Sequence, residues 1–197
     1  GAAQAGAETE KLSVAGLELN YCIACGTCYS KGHCIYEDGV TMLQEKMMVA
    51  DGIILASPNY INSVSAQLKT VMDRCSLHIH CLLFTGKYGA AVATAGSPET
   101  AQVAEFANAF LRCCGAQTVG IATAQAAGVG ALVDQQAALA SAGELGRELV
   151  AAIAERRQDP EQLAFHEAFA ARMKALVLRM GDKAPYQLEH WRKMGWL

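Results

Sequence analysis

Two short apolar runs, residues 52–56 (GIILA) and 88–94 (YGAAVAT), constrain the fold of this chain more than any other feature. Each is long enough for a strand and too short for a helix, and neither alternates with polar residues. Both therefore predict strands buried on both faces. A breaker closes each run: Ser57-Pro58-Asn59-Tyr60 after the first and Ala95-Gly96-Ser97-Pro98 after the second, since proline cannot continue a central strand. A helical pattern follows each breaker. One runs from about Ser63 to Arg74. The other has Pro98 in its first turn and runs to Cys114, with Gly115 just past its end. A third strand is predicted over residues 118–124. Strands separated by helices of this length make parallel βαβ units, and right-handed crossovers place helices on both faces. The fold class is α/β, a doubly wound parallel sheet.

The flanking segments complete this outline. Residues 8–14 read as a short strand. GVTMLQEKMMVADG reads as a helix, with Thr41 as N-cap and Gln44 closing a capping box. Beyond Asp134 the pattern is purely helical. Leu139, Ala142, Leu145, Leu149 and Ile153 form one stripe. Leu163, His166, Phe169, Met173, Leu176 and Met180 form another, on a helix capped by Asp159, opened by Pro160 and ended by Gly181. The last residues carry Tyr186, Trp191, Trp196 and Leu197, an aromatic tail expected to dock. Residues 1–134 read as one domain containing a cysteine loop at 21–35. Residues 135–197 read as a helical extension that serves oligomerisation, in a homodimer or homotetramer.

Of the 197 residues, 52% are apolar and 18% charged, enough for an ordinary core and too apolar for disorder. A formal charge of −3 gives no field that would gather nucleic acid or anionic lipid. No apolar run is long enough to cross a bilayer. The opening GAAQAGAETE has no secretory pattern, so a reducing, cytoplasmic setting is expected. In that setting the 8 cysteines are ligands or free thiols rather than a disulfide framework.

Four of them, Cys22, Cys25, Cys28 and Cys34, form a C-x2-C-x2-C-x5-C run. Three thiols at three-residue intervals can converge on one side of a tight glycine-containing loop, and the fourth closes the site. That suits a cubane iron–sulfur cluster. A zinc site and free thiols are the alternatives, although zinc knuckles more often come as two separated C-x2-C pairs. Ligands of open parallel sheets sit beyond the carboxyl ends of the strands. The loops holding Ser57, Pro58, Asn59, Tyr60, Asn62 and Ser63, and Ala95, Gly96 and Ser97, lie there. Small residues, polar groups and one ring could hold a flat, partly polar ring system; simple turn chemistry is the plainer explanation. Cys75, Cys113 and Cys114 read as small hydrophobes at helix ends. Cys81, with His78 and His80, reads as part of a loop near the site or an interface, and His166 as a packed histidine.

The segment ADGIILASPNYINSVSAQLKTVMDR closely resembles the SP-x-Y-x-x-S-V-S-A-Q-L-K-x-x-x-DR stretch of the flavodoxin-like NAD(P)H-dependent FMN reductases. With the cysteine run upstream, the chain resembles their iron–sulfur flavoprotein branch, and the ending HWRKMGWL is similar to that of many relatives. The resemblance implies that residues 57–63 and 95–97 contact the FMN ring. It also implies that Cys22, Cys25, Cys28 and Cys34 hold a [4Fe–4S] cluster. The family's first strand and phosphate loop have no counterpart here: residues 1–6 resemble the end of the first helix, so the first βα unit is expected to be missing. The implied function is electron transfer between cluster and FMN, with a ferredoxin-like donor or NAD(P)H and a small acceptor such as a quinone, dioxygen or peroxide. Two alternatives stand beside it: a cluster-free NAD(P)H-dependent FMN or quinone reductase, and a metal-stapled binding module without FMN. No catalytic side chain is assigned, since neither a Ser–His–Asp set nor paired acids can be argued from the sequence.

Overall fold

The computed structural model describes residues 1–97 and 100–197. Its helices are α1 (Thr27–Lys31), α2 (Gly39–Val49), α3 (Ala66–Arg74), α4 (Ser76–His80), α5 (Ala101–Cys113), α6 (Gln135–Glu155), α7 (Pro160–Met180) and α8 (Pro185–Lys193). The strands are β1 (Gly52–Pro58), β2 (Tyr88–Ala95), β3 (Gln117–Gly128) and β4 (Ala131–Leu132). They form one 4-stranded sheet in the order β1-β2-β3-β4. β1 pairs with β2 in parallel, as does β2 with β3, while β4 turns back antiparallel onto β3. The expected α/β class and all three parallel strands are present. The antiparallel β4 and the extension of β3 to Gly128 were not foreseen.

The pleat of β2 divides the core. Ala91 and Ala93 face the layer built by Leu68 and Val71 of α3 and Val103, Ala104, Ala107 and Leu111 of α5. Tyr88 and Ala90 face Leu145, Leu149 and Ala152 of α6. Each fully buried leucine or valine here contributes roughly 1.5–3 kcal/mol. Close approach depends on Gly89, where a Cβ would lie 2.7 Å from Leu111 Cδ1. α6, grouped with the C-terminal extension on sequence, thus covers one face of the sheet. α8 lies elsewhere: Leu188 and Trp191 enter a separate cluster with Phe169, Met173 and Val177 of α7 and Leu77 and Cys81.

Two expectations fail at the sheet edge, for one reason. Residues 8–14 are not a strand; they run without regular structure and mostly exposed. β1 was expected to be buried on both faces, yet Ile53 and Leu55 are buried while Ile54 is 44% exposed. Among the described residues no strand pairs with the outer edge of β1. Without a neighbour, residues 8–14 have no ladder to join, and β1 alternates as an edge strand does.

Local corrections are smaller. The N-cap of α2 is Asp38, whose carboxylate accepts the Val40 N–H at 3.0 Å. Thr41 instead donates its hydroxyl to the Tyr36 carbonyl, and Gln44 donates to the Arg74 carbonyl. α3 starts at Ala66, capped by Ser65. Pro98 lies outside the described residues, and α5 begins at Ala101. α7 matches its expected signals, with the Asp159 side chain accepting the Gln162 N–H and Pro160 in the first turn. None of the helices among the described residues is long and apolar enough to cross a membrane.

Candidate cofactor site

The cysteine loop is shaped by backbone turns. Ala24, Gly26 and Gly32 all have positive φ, at 53°, 73° and 82°, and the alanine carries a cost of roughly 1–2 kcal/mol that surrounding contacts must offset. Gly26 caps the short helix α1 and Gly32 ends it. Glycine is required at position 32 for a second reason: a Cβ there would meet the Tyr186 ring at 2.3 Å. α8 is therefore packed directly on the loop. The link continues through Tyr29, whose ring stacks on His80 at 4.5 Å and whose hydroxyl bonds Ser76 Oγ at 3.1 Å. His80 in turn bonds the fully buried Gln187 of α8 at 3.1 Å, and its carbonyl accepts the Trp191 indole N–H at 2.8 Å.

The four thiols sense one another. Cys22 and Cys25 are exposed, Cys28 and Cys34 half-buried. Burial pushes the Cys28 thiol up, the Ser76 hydroxyl pulls it back, and negative charge on Cys34, Cys22 and Cys25 raises it again. The Thr27 hydroxyl, 3.2 Å from Cys25 Sγ, lowers the Cys25 thiol, helped by backbone N–H groups. A thiol set within electrostatic reach, on a loop bent by left-handed turns, fits a thiolate-bound cluster in its donor chemistry. The set is open: among the described residues, no three His, Cys, Asp or Glu side chains close to metal-holding distance.

Beneath the loop lies a buried ion pair that the sequence reading missed. Arg74 Nη1 donates to Asp38 Oδ2 at 2.7 Å, with side chains only 1% and 4% exposed. Arg74 also donates to the carbonyls of Asn20 at 2.9 Å and Tyr36 at 3.3 Å. Asp38 accepts from the Asn20 backbone and side chain and from the Val40 N–H. Burial would raise the Asp38 carboxyl, but Arg74 and these N–H groups outweigh it and hold it well below the usual carboxylate range. Burial would likewise lower Arg74, and the adjoining Asp38 and Cys34 reverse that.

The second group of expected residues lies at the carboxyl ends of β1 and β2, whose parallel register pairs Pro58 with Thr94. The Asn59 N–H donates to the Thr94 carbonyl at 2.7 Å, which brings the two loops side by side. Tyr60 and Ser63 exchange both backbone hydrogen bonds, at 3.0 and 3.2 Å, around Ile61 and Asn62, which have φ of 53° and 57°. That is a two-residue hairpin turn with both central residues left-handed. It leaves Tyr60 and Ile61 exposed, and Asn62 Oδ1 accepts Gln102 Nε2 at 3.2 Å. Across from it, Gly96 and Ser97 are exposed, Ala95 is buried, and a Cβ on Gly96 would meet nothing within 4 Å. The Gly96 carbonyl is steadied by Gln125 Nε2 at 3.1 Å. This open surface of small residues beside Tyr60 fits a flat ring. The Ser57 hydroxyl, by contrast, is already engaged: it accepts the Ser65 N–H and donates to the Pro58 carbonyl, both at 2.8 Å.

α3 connects the two groups. Its start is fixed by Ser65 and Ser57 at the sheet end, and its last residue is Arg74 under the cysteine loop. The remaining cysteines stay apart. Cys75 and Cys114 are fully buried, with burial pushing Cys75 up to about 12 and Cys114 well above its ordinary value. Cys113 is half-buried. Cys81 and His78 are buried rather than in an open loop: His78 lies within α4 and Cys81 just past its end. Arg74 and Asp38 carried faint signals in advance, the first as a cation at the last position of a helix with an apolar face and the second as an Asp-Gly helix start.

The model of a family described as NADPH-dependent FMN reductase matches residues 1–129. An iron-sulfur flavoprotein of Archaeoglobus fulgidus is 32% identical over 98% of this chain and 86% of its own length. One from Methanocaldococcus jannaschii is 46% identical over 48% of this chain, a stretch that spans 49% of that relative. Among solved structures, a flavone reductase superposes with a TM-score of 0.60 at 16% identity, covering 77% of this chain and 54% of the other. That likeness shows the fold, of flavodoxin-like type. Family match, full-length relative and architecture agree, and the chain belongs to the NADPH-dependent FMN reductase family.

Proposed function

We propose that this chain is an iron–sulfur flavoprotein, in which Cys22, Cys25, Cys28 and Cys34 hold a [4Fe–4S] cluster and residues 57–63 and 95–97 hold the ring of FMN. One observation carries the reading. The 9 residues of α3, about 14 Å of helix, join the sheet-end loops to the cysteine loop, so the two candidate sites sit at opposite ends of one helix. The names of the relatives support the same pairing. When bound, a cluster exchanges single electrons and a flavin one or two, so together they couple a one-electron donor to a two-electron acceptor.

The chain's own residues supply position and charge. Thr27 and Ser76 direct hydroxyls at Cys25 and Cys28, and Arg74 brings a fixed positive charge to Cys34. Tyr60 and the open backbone around Gly96 offer a stacking edge and N–H groups to a planar ring. The donor is a ferredoxin-like protein or NAD(P)H, and the acceptor is a quinone, dioxygen, peroxide or another small oxidant. The setting is cytoplasmic and the protein a homodimer or homotetramer, assembled through residues 135–197.

A second reading, a cluster-free NAD(P)H-dependent FMN or quinone reductase, is favoured by the open spacing of the thiols. Anaerobic reduction separates the two. With reduced ferredoxin as donor, the bound flavin bleaches in the reconstituted wild-type chain. It stays oxidised when Cys22, Cys25, Cys28 and Cys34 are replaced by alanine. Bleaching by NADPH at the same rate in wild type and the four-alanine variant, with none by ferredoxin in either, would establish the second reading.

A further inference from the structure

We infer that Arg74 is the positioning residue of the cysteine loop, fastening both of its ends to α3 and presenting a fixed positive charge to the thiol set. The inference rests on the cluster reading above and goes beyond the ligands. Asn20 lies 2 residues before Cys22 and Tyr36 lies 2 residues after Cys34. A single guanidinium bonds both carbonyls, at 2.9 and 3.3 Å, and so closes the segment that contains all four thiols. Asp38 completes the knot by accepting from Asn20 while it holds Arg74 at 2.7 Å. The Tyr36 ring lies 5.2 Å from the guanidinium carbon, which fixes the plane of the fork.

Burial makes this arrangement unusual for a purely structural pair. The Arg74 side chain is 1% exposed, yet its Nε has no hydrogen-bond partner. An unpaired buried donor costs on the order of 1–3 kcal/mol, and a buried ion pair alone is weak evidence of stabilisation. The guanidinium bonds carbonyls 2 residues from Cys22 and 2 residues from Cys34, so its charge sits at the base of the thiol loop. Negative charge bound by the thiols would face a cation already in place. Arginine rather than lysine suits the role, since one planar fork reaches two carbonyls and a carboxylate at once.

Positive charge beside a cluster favours its reduced, more negative form, and hydrogen bonds and net charge are established determinants of cluster potential. Two variants separate the tie from the charge. Arg74→Lys keeps the charge and loses the fork. Asp38→Asn keeps a hydrogen-bonding side chain and leaves the Arg74 cation without its counter-charge, while the double variant Asp38→Asn with Arg74→Gln changes no net charge. Hydrogen exchange of the metal-free chain is expected to show amides 20–38 about tenfold or more faster in Arg74→Lys, with the β2 and α5 amides unchanged. After anaerobic reconstitution with ferrous iron and sulfide, Asp38→Asn is expected to shift the reduction equilibrium about tenfold toward the reduced form, a rise of about 59 mV for a one-electron couple. Arg74→Lys and the double variant are expected to keep the wild-type potential. Unchanged exchange in Arg74→Lys would overturn the tie, whether or not a cluster forms. An unchanged potential in Asp38→Asn would overturn the charge. If the wild-type chain takes up no iron and sulfide, the cluster reading fails by itself and the exchange result still decides the role of Arg74.

Discussion

His78 shows how much a single buried group can say about this molecule. Burial drives its imidazole down to about 4, and it packs against Phe84 at 5.3 Å. Between the unfolded value near 6.5 and about 4, the unfolded chain binds a proton that the folded chain refuses. Stability therefore rises with pH through that window: it is fully present above about 6.5 and falls as acid is added, by roughly 3 kcal/mol at most. Urea unfolding of His78→Leu between pH 4 and 7 is expected to show a flatter profile than wild type. Asp38 behaves in the opposite chemical sense with the same sign. Its depressed carboxyl stabilises the fold above the ordinary carboxylate range, and that contribution is lost only as the pH falls toward its lowered folded value. The loop clamp should thus outlast the His78 contribution during acidification. Gly32 is the steric counterpart. With φ at 82° and the Tyr186 ring where a Cβ would go, Gly32→Ala is expected to cost about 2 kcal/mol or more, read as a lowered Tm.

At the scale of elements, α8 decides how the cysteine loop is held. Trp191 is 1% exposed and its indole N–H reaches the His80 carbonyl, so the aromatic tail docks first on its own chain. Trp191→Ala is expected to destabilise the protein by about 3–5 kcal/mol and to speed hydrogen exchange in α1 and α4 before α6. An α6 that loosens together with α1 would show that the two packing clusters are not separate. β1, β2 and α7 were readable from the sequence because each has a local cause: an apolar run closed by a proline-containing breaker, or a stripe between Asp-Pro and glycine. What was not readable has non-local causes. Thr41 and Gln44 have capping-box spacing, but Asp38 won the cap because Arg74, 36 residues on, fixes its carboxylate there. The burial of β1 depended on a neighbour that no local pattern could report, and Cys81 was drawn under the loop by α8, 109 residues from its His190 contact. The cysteine ligand set stood out by spacing; the residues that orient it did not, because they come from α2, α3 and α4.

Across the whole molecule, the sheet places one candidate site at the ends of β1 and β2, and α3 carries the other at its far terminus. Assembly through residues 135–197 is expected to respond to Leu178→Lys, an exposed position of α7, with a smaller species by sedimentation. The same size in variant and wild type would remove that face from the interface. Composition decides most directly whether the chain holds both cluster and flavin, by quantifying iron, acid-labile sulfide, zinc and flavin together in an anaerobically purified sample. About four iron and four sulfide per flavin are expected, with no zinc, as is loss of both iron and sulfide when Cys28 and Cys34 are replaced by alanine. Stoichiometric zinc, or flavin without iron in protein never exposed to air, would contradict the iron–sulfur flavoprotein reading.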